Sequence, residues 1–486
     1  MISTIRQLEQ QSLPLEPDAE QRATLTRQVT TYVDRYMQGI STAAAYQQDD
    51  TPAKVLDDFF PAEKGHPAEE LLEVLDKAVV RPGINMSSGG DLAYIPGGGL
   101  YVSALADFIG AATNKYASIY HASPGATRME NMLVRWLCDL VGYDEKSFGH
   151  LSSGGSMANL TAIVTARDAK DMLVEPEKNV LYVTHQVHHC LLKALRVSGM
   201  TACRLQLVPM KADLQMDVAA LKQLIKQHLA EGLHPKLVVA SAGTTDVGVV
   251  DALDEIAQVA EDNDMWYHVD GAYGGFFLLT DYGKEKMRGI SRADSIVMDP
   301  HKGLFLPYGS GAVLVKRGHQ LFNSFYVEAN YLQDAQLSAE QIGNYAEISP
   351  ADVSAELSRH FRGLRLWLPL QLHGVQPFRA ALDEKLLLTR FFHQKIKAAG
   401  FETGPDPHLS ITIFRYVPER IEDDLEQVNQ FNRQLLKAIQ DEKVIFIAST
   451  TIDGVYWLRL AVLSFRTHLP HIEALLSSLI QKTRTL

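Results

Sequence analysis

The chain has 486 residues, of which 46% are apolar and 21% charged, and 46 basic against 58 acidic residues give it a net charge of −12. This composition is typical of a globular enzyme of two or three domains. The acidic balance argues against a nucleic acid or an anionic membrane as the partner.

The sequence contains no pattern for export or for membrane insertion. Residues 1–6 carry no basic region followed by a long apolar run, and no segment offers about 18 uninterrupted apolar residues. The three cysteines, Cys138, Cys190 and Cys203, lack the spacing of a zinc site or of a disulfide framework. We therefore expect free thiols, no bound metal and a cytoplasmic location.

Residues 1–83 are predicted to form a helical arm. Segments 19–45 and 71–79 carry apolar residues at helical spacing, and the second ends just before Pro82 and Gly83. Because this arm is too thin to form a core of its own, we expect it to pack on another surface, such as a second subunit.

Residues 84–374 are predicted to form a large α/β domain. Short apolar runs rich in Val and Ile, bounded by polar or glycine turns, are typical of strands buried on both faces. Such runs lie at residues 179–184, 236–242, 265–269, 295–298 and 311–315. Helical stretches such as 216–229 and 252–263 separate them and suit crossover connections. This alternation predicts a mostly parallel, doubly wound sheet.

Residues 375–486 are predicted to form a small C-terminal α+β domain. A long helix is expected over 378–399, ending at Gly400. Three strand-like runs and a last helix follow it, at 410–416, 444–447, 456–461 and 470–480.

Two runs in the large domain place an aspartate and a lysine just past successive predicted strands. His-Val-Asp-Gly-Ala-Tyr contains Asp270, and Asp-Pro-His-Lys contains Lys302. Because ligands of open α/β sheets bind beyond the carboxyl ends of the strands, we expect both side chains at one site. A lysine amine forms a Schiff base with an aldehyde, and a carboxylate can hold a pyridine nitrogen protonated. The pair therefore indicates pyridoxal 5′-phosphate (PLP) as the cofactor.

Taken separately, each of these residues has an ordinary alternative. Asp270 could cap a helix that follows its strand, and Lys302 could be a solvated surface lysine. Position favours the cofactor site, because residues 188–189 and 244–245 also follow strand ends.

A segment rich in glycine and serine, 149–162, is predicted to be a turn that opens a helix. The free backbone N–H groups and the positive end of the helix dipole suit a phosphate dianion. An ordinary helix start is the alternative for this segment alone, and the missing Gly-Lys-Ser/Thr ending excludes a P-loop.

These motifs and their order resemble the group II PLP-dependent amino-acid decarboxylases, which include the aromatic-L-amino-acid, glutamate, histidine and tyrosine decarboxylases. The resemblance is clear over roughly residues 70–375 and looser elsewhere. It implies the PLP-dependent transferase fold type I and a homodimer. It also implies decarboxylation of an L-amino acid, with an aromatic substrate favoured, to the amine and CO₂.

The resemblance also implies roles for individual residues. Lys302 forms the Schiff base, Asp270 pairs with the pyridine nitrogen, and Ala272 packs under the ring. His189 stacks on the opposite face, and it is favoured over its neighbour His188 by its spacing to the following helix. The remaining cofactor contacts, to the phosphate and the ring substituents, are expected from Ser156, Met157, Ala158, Thr245 and His301.

The proton donor and the residue at position 299 are less well defined. In this family a tyrosine on a loop from the partner subunit protonates the substrate carbon. The polar segment 328–352 carries Tyr331 and Tyr345; we favour Tyr345, with an ordinary loop tyrosine as the alternative. This chain has Asp299 where the family often has asparagine, and an acid beside a phosphate is repulsive unless protonated or turned away.

Several alternatives stay open at this point. The same scaffold supports decarboxylation of an acidic or diamino acid, and it also supports a lyase or an aldehyde synthase. A PLP-binding protein without turnover is disfavoured by the presence of Lys302, Asp270 and His189. Arg359 and Arg362 could meet a carboxylate or form ordinary surface ion pairs.

Overall fold

The computed structural model describes residues 1–47, 51–59, 64–95, 97–327 and 345–486. The α-helices in this part of the chain are α1 (Ile2–Ser12), α2 (Ala19–Gly39), α3 (Ala68–Leu75), α4 (Tyr101–Thr113), α5 (Pro124–Leu140), α6 (Gly155–Ala169), α7 (His189–Val197), α8 (Val218–Ala230), α9 (Leu253–Asp262), α10 (Asp281–Lys286), α11 (Pro300–Gly303), α12 (Gly318–Phe325), α13 (Gly363–His373), α14 (Gln376–Ala398), α15 (Leu425–Gln440) and α16 (Leu469–Lys482).

The strands in the same part of the chain are β1 (Tyr46–Gln47), β2 (Gly83–Ile84), β3 (Phe148–Ser152), β4 (Asn179–Val183), β5 (Arg204–Leu207), β6 (His234–Ser241), β7 (Trp266–Asp270), β8 (Ser295–Met298), β9 (Gly311–Val315), β10 (Glu402–Thr403), β11 (Ile411–Arg415), β12 (Ala448–Ile452) and β13 (Val455–Ala461).

A seven-stranded sheet forms the centre of the molecule, in the order β3-β9-β8-β7-β6-β4-β5. Strand β9 runs antiparallel to both of its neighbours, and the pairs from β8 through β7, β6 and β4 to β5 are all parallel. Every residue of β4, β7 and β8 is buried, so helices cover both faces of the sheet. The predicted mostly parallel sheet is confirmed.

The five predicted strands of this sheet are all present. The runs at 295–298 and 311–315 match β8 and β9 residue for residue, and the other three shift by one or two residues at their ends. The crossover helices expected at 216–229 and 252–263 are α8 and α9. Continuous apolar runs located these strands because both faces of the sheet are buried.

A smaller antiparallel sheet, in the order β10-β11-β13-β12, lies in the C-terminal part. Its apolar face and helices α14, α15 and α16 share a second hydrophobic cluster that includes Phe392, Phe414, Leu435 and Leu475. The strand predicted at 444–447 is wrong, because the strand that pairs with β13 begins at Ala448. The sequence of β12 is rich in serine and threonine, so the preceding apolar residues gave the stronger but misleading pattern.

The N-terminal helices contribute little to the hydrophobic core around the large sheet or to the second cluster in the C-terminal part. Helix α2 ends at Gly39 rather than near residue 45, and no residue of α1 or α2 is buried. Strand β1 pairs with β2, and the N–H of Ala45 donates to Lys443 O in the C-terminal part at 2.9 Å, which ties this region to the rest of the protein. The domain limits 1–83, 84–374 and 375–486 stay predictions. None of the helices in the described ranges is long and apolar enough to cross a membrane.

Candidate active site

One cavity of about 320 Å³ lies at the carboxyl ends of β3, β4, β6, β7 and β8. This edge is where ligands bind in open α/β sheets. The predicted site residues that line the cavity are Ser156, Met157, Thr245, Asp270, Ala272, His301 and Lys302. They come from the ends of four strands, β3, β6, β7 and β8, and Gln186 and His188 add the end of β4.

The aspartate and the lysine reach the cavity from neighbouring strands. Asp270 is the last residue of β7 and pairs in register with Val297 of β8. Its Oδ1 accepts a hydrogen bond from the N–H of Ala272 at 3.1 Å, and its Oδ2 accepts one from Asn159 Nδ2 at 3.4 Å. Lys302 lies in α11, which begins directly after β8 with Pro300 at its first position. The structure therefore brings Asp270 and Lys302, the two residues on which the sequence interpretation depended, to the same cavity.

Lys302 has a second carboxylate beside it. Its Nζ lies 2.9 Å from Oδ2 of Asp299, whose side chain is buried. Burial alone would lower the pKa of Lys302, but the negative charges of Asp299 and Asp270 outweigh it and raise that pKa. No other described residue donates a hydrogen bond to the Asp299 oxygens, and His301 Nε2 lies farther from the same Oδ2, at 3.8 Å. Asp299 thus serves as a counter-ion of the lysine.

Helix α6 begins at the cavity without a side-chain cap. Gly154 has a φ of +149°, and a Cβ on Gly155 would lie 2.7 Å from Asp299 Oδ2, so glycine keeps this approach open. The N–H groups of Met157 and Ala158 both donate to Gly154 O at 3.1 Å. Those two N–H groups are therefore already paired within the helix. The residues before them, at the very start of α6, face the cavity and suit an anion.

Ala158 does not line the cavity, contrary to expectation. Its side chain is fully buried in the hydrophobic cluster that includes the strands of the large sheet. Ser153, Gly154 and Gly155 line the cavity in its place. The predicted segment therefore lines the cavity from Ser153 to Met157.

The two neighbouring histidines are separated by the start of α7. His188 is the N-cap residue, its Nδ1 accepts a hydrogen bond from the N–H of Cys190 at 3.3 Å, and its side chain lines the cavity. His189 is the first residue of the helix, is exposed, and lies outside that cavity in an adjoining groove. The geometry favours His188 over His189 for a contact with a ligand. The sequence spacing favoured His189 because it placed the end of β4 one residue later than the structure does.

Several cavity residues were not anticipated. Asn159, Gln186, Cys190 and Tyr308 all line it. Asn159 belongs to the glycine-rich segment and lies four residues after Gly155, the first residue of α6. Its place in that segment was the one clue in the sequence that its side chain could reach the cavity. Nothing in the sequence relates Tyr308 to Lys302 beyond their closeness along the chain.

The remaining candidates have other positions. Tyr331 lies outside the described residues, and the backbone of Tyr345 opens a short 3₁₀ helix, Tyr345–Glu347. Arg359 pairs with the buried Glu130, and Arg362 Nη1 lies 2.7 Å from Glu356 Oε2. Both arginines are therefore engaged within the protein. In the described part of the chain, no group of three or more His, Cys, Asp or Glu side chains could hold a metal ion.

The cavity fits PLP on three structural grounds. The uncapped start of α6 suits the phosphate, the Asp270 carboxylate suits a protonated ring nitrogen, and the Lys302 amine suits the aldehyde. Glycines at positions 154 and 155 leave room at the phosphate end.

Comparison with known proteins agrees with this fit. Residues 54–417 match the family model described as the pyridoxal-dependent decarboxylase conserved domain. The chain is 34% identical to an aromatic-L-amino-acid decarboxylase of Bacillus atrophaeus over 406 residues, which cover 83% of each protein. It is 27% identical to an L-2,4-diaminobutyrate decarboxylase of Acinetobacter baumannii, with 87% of this chain and 85% of that protein covered. A phenylacetaldehyde synthase of Petunia hybrida is also 27% identical, with 84% and 83% covered.

Solved structures show the same fold. The structure of Oryza sativa TDC with PLP and tryptamine matches with a TM-score of 0.89, covering 96% of this chain and 99% of that one at 23% identity. The expected PLP-dependent transferase fold type I is confirmed.

Proposed function

The chain belongs to the pyridoxal-dependent decarboxylase family, and from this premise we propose that it converts an aromatic L-amino acid into the corresponding amine and CO₂. It is a PLP-dependent carboxy-lyase, as the family implies. The observation that carries the proposal is the meeting of Lys302 and Asp270 in one cavity beside the uncapped start of α6.

The bound PLP supplies an electron sink for the electrons left at Cα when the carboxylate departs. In our proposal Lys302 would hold the aldehyde carbon, Asp270 would keep the ring nitrogen protonated, and the start of α6 would hold the phosphate. His188 and Ala272 would contact the ring. His301 and Thr245 complete the rim of the cavity.

We also propose a donor for the proton that the substrate carbon receives. Tyr345 is the candidate, and its backbone is held next to α5 because Asn131 Nδ2 donates to Ile348 O at 2.9 Å. A phenol that reaches the substrate carbon can supply this proton as a general acid.

The aromatic substrate is supported by the relatives. The Bacillus atrophaeus aromatic-L-amino-acid decarboxylase is 34% identical, whereas the diaminobutyrate decarboxylase and the phenylacetaldehyde synthase are each 27% identical. We further propose a homodimer, because apolar side chains of α4 such as Phe108, 62% exposed, need a partner surface. A cytoplasmic location agrees with three free buried cysteines.

A product screen tests the proposal. The purified enzyme with added PLP is offered aromatic, acidic and diamino L-amino acids separately, and mass spectrometry identifies the products. We expect an arylalkylamine and CO₂. Lys302→Ala is the inactive control, and Lys170→Ala, which removes a lysine paired with Asp264 at the surface, is the active one. A diamine, or an aldehyde with ammonia and hydrogen peroxide, would overturn the proposed substrate or reaction.

A further inference from the structure

A line of buried polar side chains leads away from Asp270 into the protein. Asn159, Trp266, His268 and Ser295 have fully buried side chains, and none of them was assigned a role from the sequence. Asn159 Nδ2 lies 3.4 Å from Asp270 Oδ2, and Asn159 Oδ1 lies 2.8 Å from His268 Nε2. These contacts place a polar network directly behind the carboxylate.

The network continues past the histidine. His268 Nδ1 lies 2.8 Å from Ser295 Oγ, and Trp266 Nε1 donates to the same oxygen at 2.9 Å. An indole N–H can only donate a hydrogen bond, so the Ser295 oxygen must accept from Trp266 at this end of the network. Burial lowers the pKa of His268 to about 4, so the imidazole is neutral at neutral pH and carries a single proton.

The acceptors at the other end fix the remaining protons. Asn159 Nδ2 faces Gly155 O at 3.0 Å and the carboxylate of Asp270, and both of these oxygens can only accept. The amide oxygen of Asn159 must then point to His268, whose Nε2 therefore carries the proton. Nδ1 of His268 consequently accepts from the Ser295 hydroxyl, which accepts in turn from Trp266.

We propose that Asn159 and His268 are positioning residues. With Ser295 and Trp266 they form a one-way series of buried hydrogen bonds that ends on the Asp270 carboxylate and holds it aimed at the cofactor nitrogen. Hydrogen bonds in a buried chain polarise one another, so every donor upstream strengthens the last one. The second oxygen of Asp270 accepts from the Ala272 N–H, so the carboxylate is held from two sides.

This inference depends on the proposed pairing of Asp270 with the ring nitrogen, and a cofactor analogue separates the two. The full-length chain is stripped of cofactor, and dissociation constants are measured for PLP and for its analogue with CH in place of the ring nitrogen. The ratio of the two constants reports only what the nitrogen contributes. A merely structural defect weakens both cofactors alike and leaves the ratio unchanged.

In the unsubstituted protein PLP should bind more tightly than the analogue, and Asp270→Asn should abolish that preference. If the unsubstituted protein shows no preference, the proposed role of Asp270 fails. Asn159→Leu keeps a similar side-chain volume but removes the donor, and it should reduce the preference by about tenfold, the loss expected for a hydrogen bond to a charged group.

A matched pair at position 268 tests the direction of the chain. Glutamine can donate to Asn159 and accept from Ser295, so His268→Gln should retain most of the preference, whereas His268→Leu should reduce it. Asn432→Ala is the control, because it removes another fully buried asparagine, whose amide donates to Tyr416 O at 2.8 Å in the C-terminal part. If the unsubstituted protein prefers PLP and both Asn159→Leu and His268→Leu keep that preference, the inference about Asn159 and His268 is overturned while the proposed role of Asp270 stands.

Discussion

Lys302 Nζ and Asp299 Oδ2 lie 2.9 Å apart, three residues from each other at the start of α11. The carboxylate is buried and has no other hydrogen-bond donor among the described residues, so the lysine ammonium is its counter-ion. A lysine is nucleophilic only when neutral. The residue that distinguishes this chain from the common Asn-Pro-His-Lys motif therefore acts on the reactive amine.

Replacing Asp299 with asparagine should lower the pKa of Lys302. Burial disfavours the ammonium, and the Asp299 charge is the largest influence that opposes burial. We expect the neutral, reactive amine to become available at lower pH than in the unsubstituted protein. Competitive acetylation of the cofactor-free chain across a pH series, read by mass spectrometry at Lys302, measures this shift. The exposed Lys437 is the internal reference, and an unchanged midpoint at Lys302 would contradict the expectation.

The sequence predicted the parts of this site that lie next to one another along the chain. Lys302 and Asp270 could be placed because each follows a strand whose burial appears as a continuous apolar run. The contact between Asn159 and Asp270 could not, since it spans 111 residues and depends on how α6 packs on the sheet. The choice between His188 and His189 could not be made from the sequence, because a shift of one residue at a strand end changes which side chain enters the cavity.

Asp91 should make the stability of the protein fall as the pH rises towards neutrality. It is buried, and burial raises its pKa from 3.8 to about 7. The folded state therefore holds a proton that the unfolded chain has released, and stability is lost between these two values as the pH rises.

Asp91→Asn should remove this contribution while keeping an acceptor for the Ala93 N–H, now 3.2 Å from Oδ1. The free energies of unfolding should be similar at pH 4, and at pH 8 the variant should be more stable by a few kcal/mol at most, since one pKa unit corresponds to about 1.4 kcal/mol. Urea unfolding at both pH values measures the difference. The control is Asp281→Asn, which changes a fully exposed carboxylate. Equal pH dependence in the Asp91 variant and the unsubstituted protein would count against a buried, protonated carboxyl group.

Arg359 should be important for stability rather than for substrate binding. Its partner Glu130 is buried and also accepts a hydrogen bond from the Gly363 N–H at 2.9 Å. Arg359→Met leaves that carboxylate without a counter-ion, which costs about 3–5 kcal/mol. Glu130→Gln combined with Arg359→Met should recover part of the loss.

Urea unfolding of the two single variants and the double variant forms a double-mutant cycle that measures this coupling. Arg433→Met is the matched control, because Arg433 pairs with Glu426 at the surface and its loss should cost about 1 kcal/mol or less. Additive effects in the cycle would show that the buried pair is not coupled.

Tyr345→Phe should reduce amine formation by about 10²- to 10⁴-fold, the usual contribution of a positioned general acid. The backbone that follows Tyr345 is fixed, since Ser349 Oγ accepts from the Tyr120 N–H at 3.0 Å and Arg128 pairs with Glu347. Without the phenol, the reacting carbon should be oxidised by O₂ instead, which gives aldehyde, ammonia and hydrogen peroxide in place of the amine.

Product analysis by mass spectrometry, together with oxygen consumption, distinguishes the two outcomes. Tyr331→Phe is the matched variant, because Tyr331 lies in the same polar segment of the sequence and is the rival candidate. If Tyr331→Phe loses amine and Tyr345→Phe does not, the acid is Tyr331. If both variants retain full amine output, neither phenol delivers the proton, and a donor within the cavity must do so. Tyr308 lines that cavity, but burial raises its pKa to about 12, which makes it a weaker acid than an ordinary phenol.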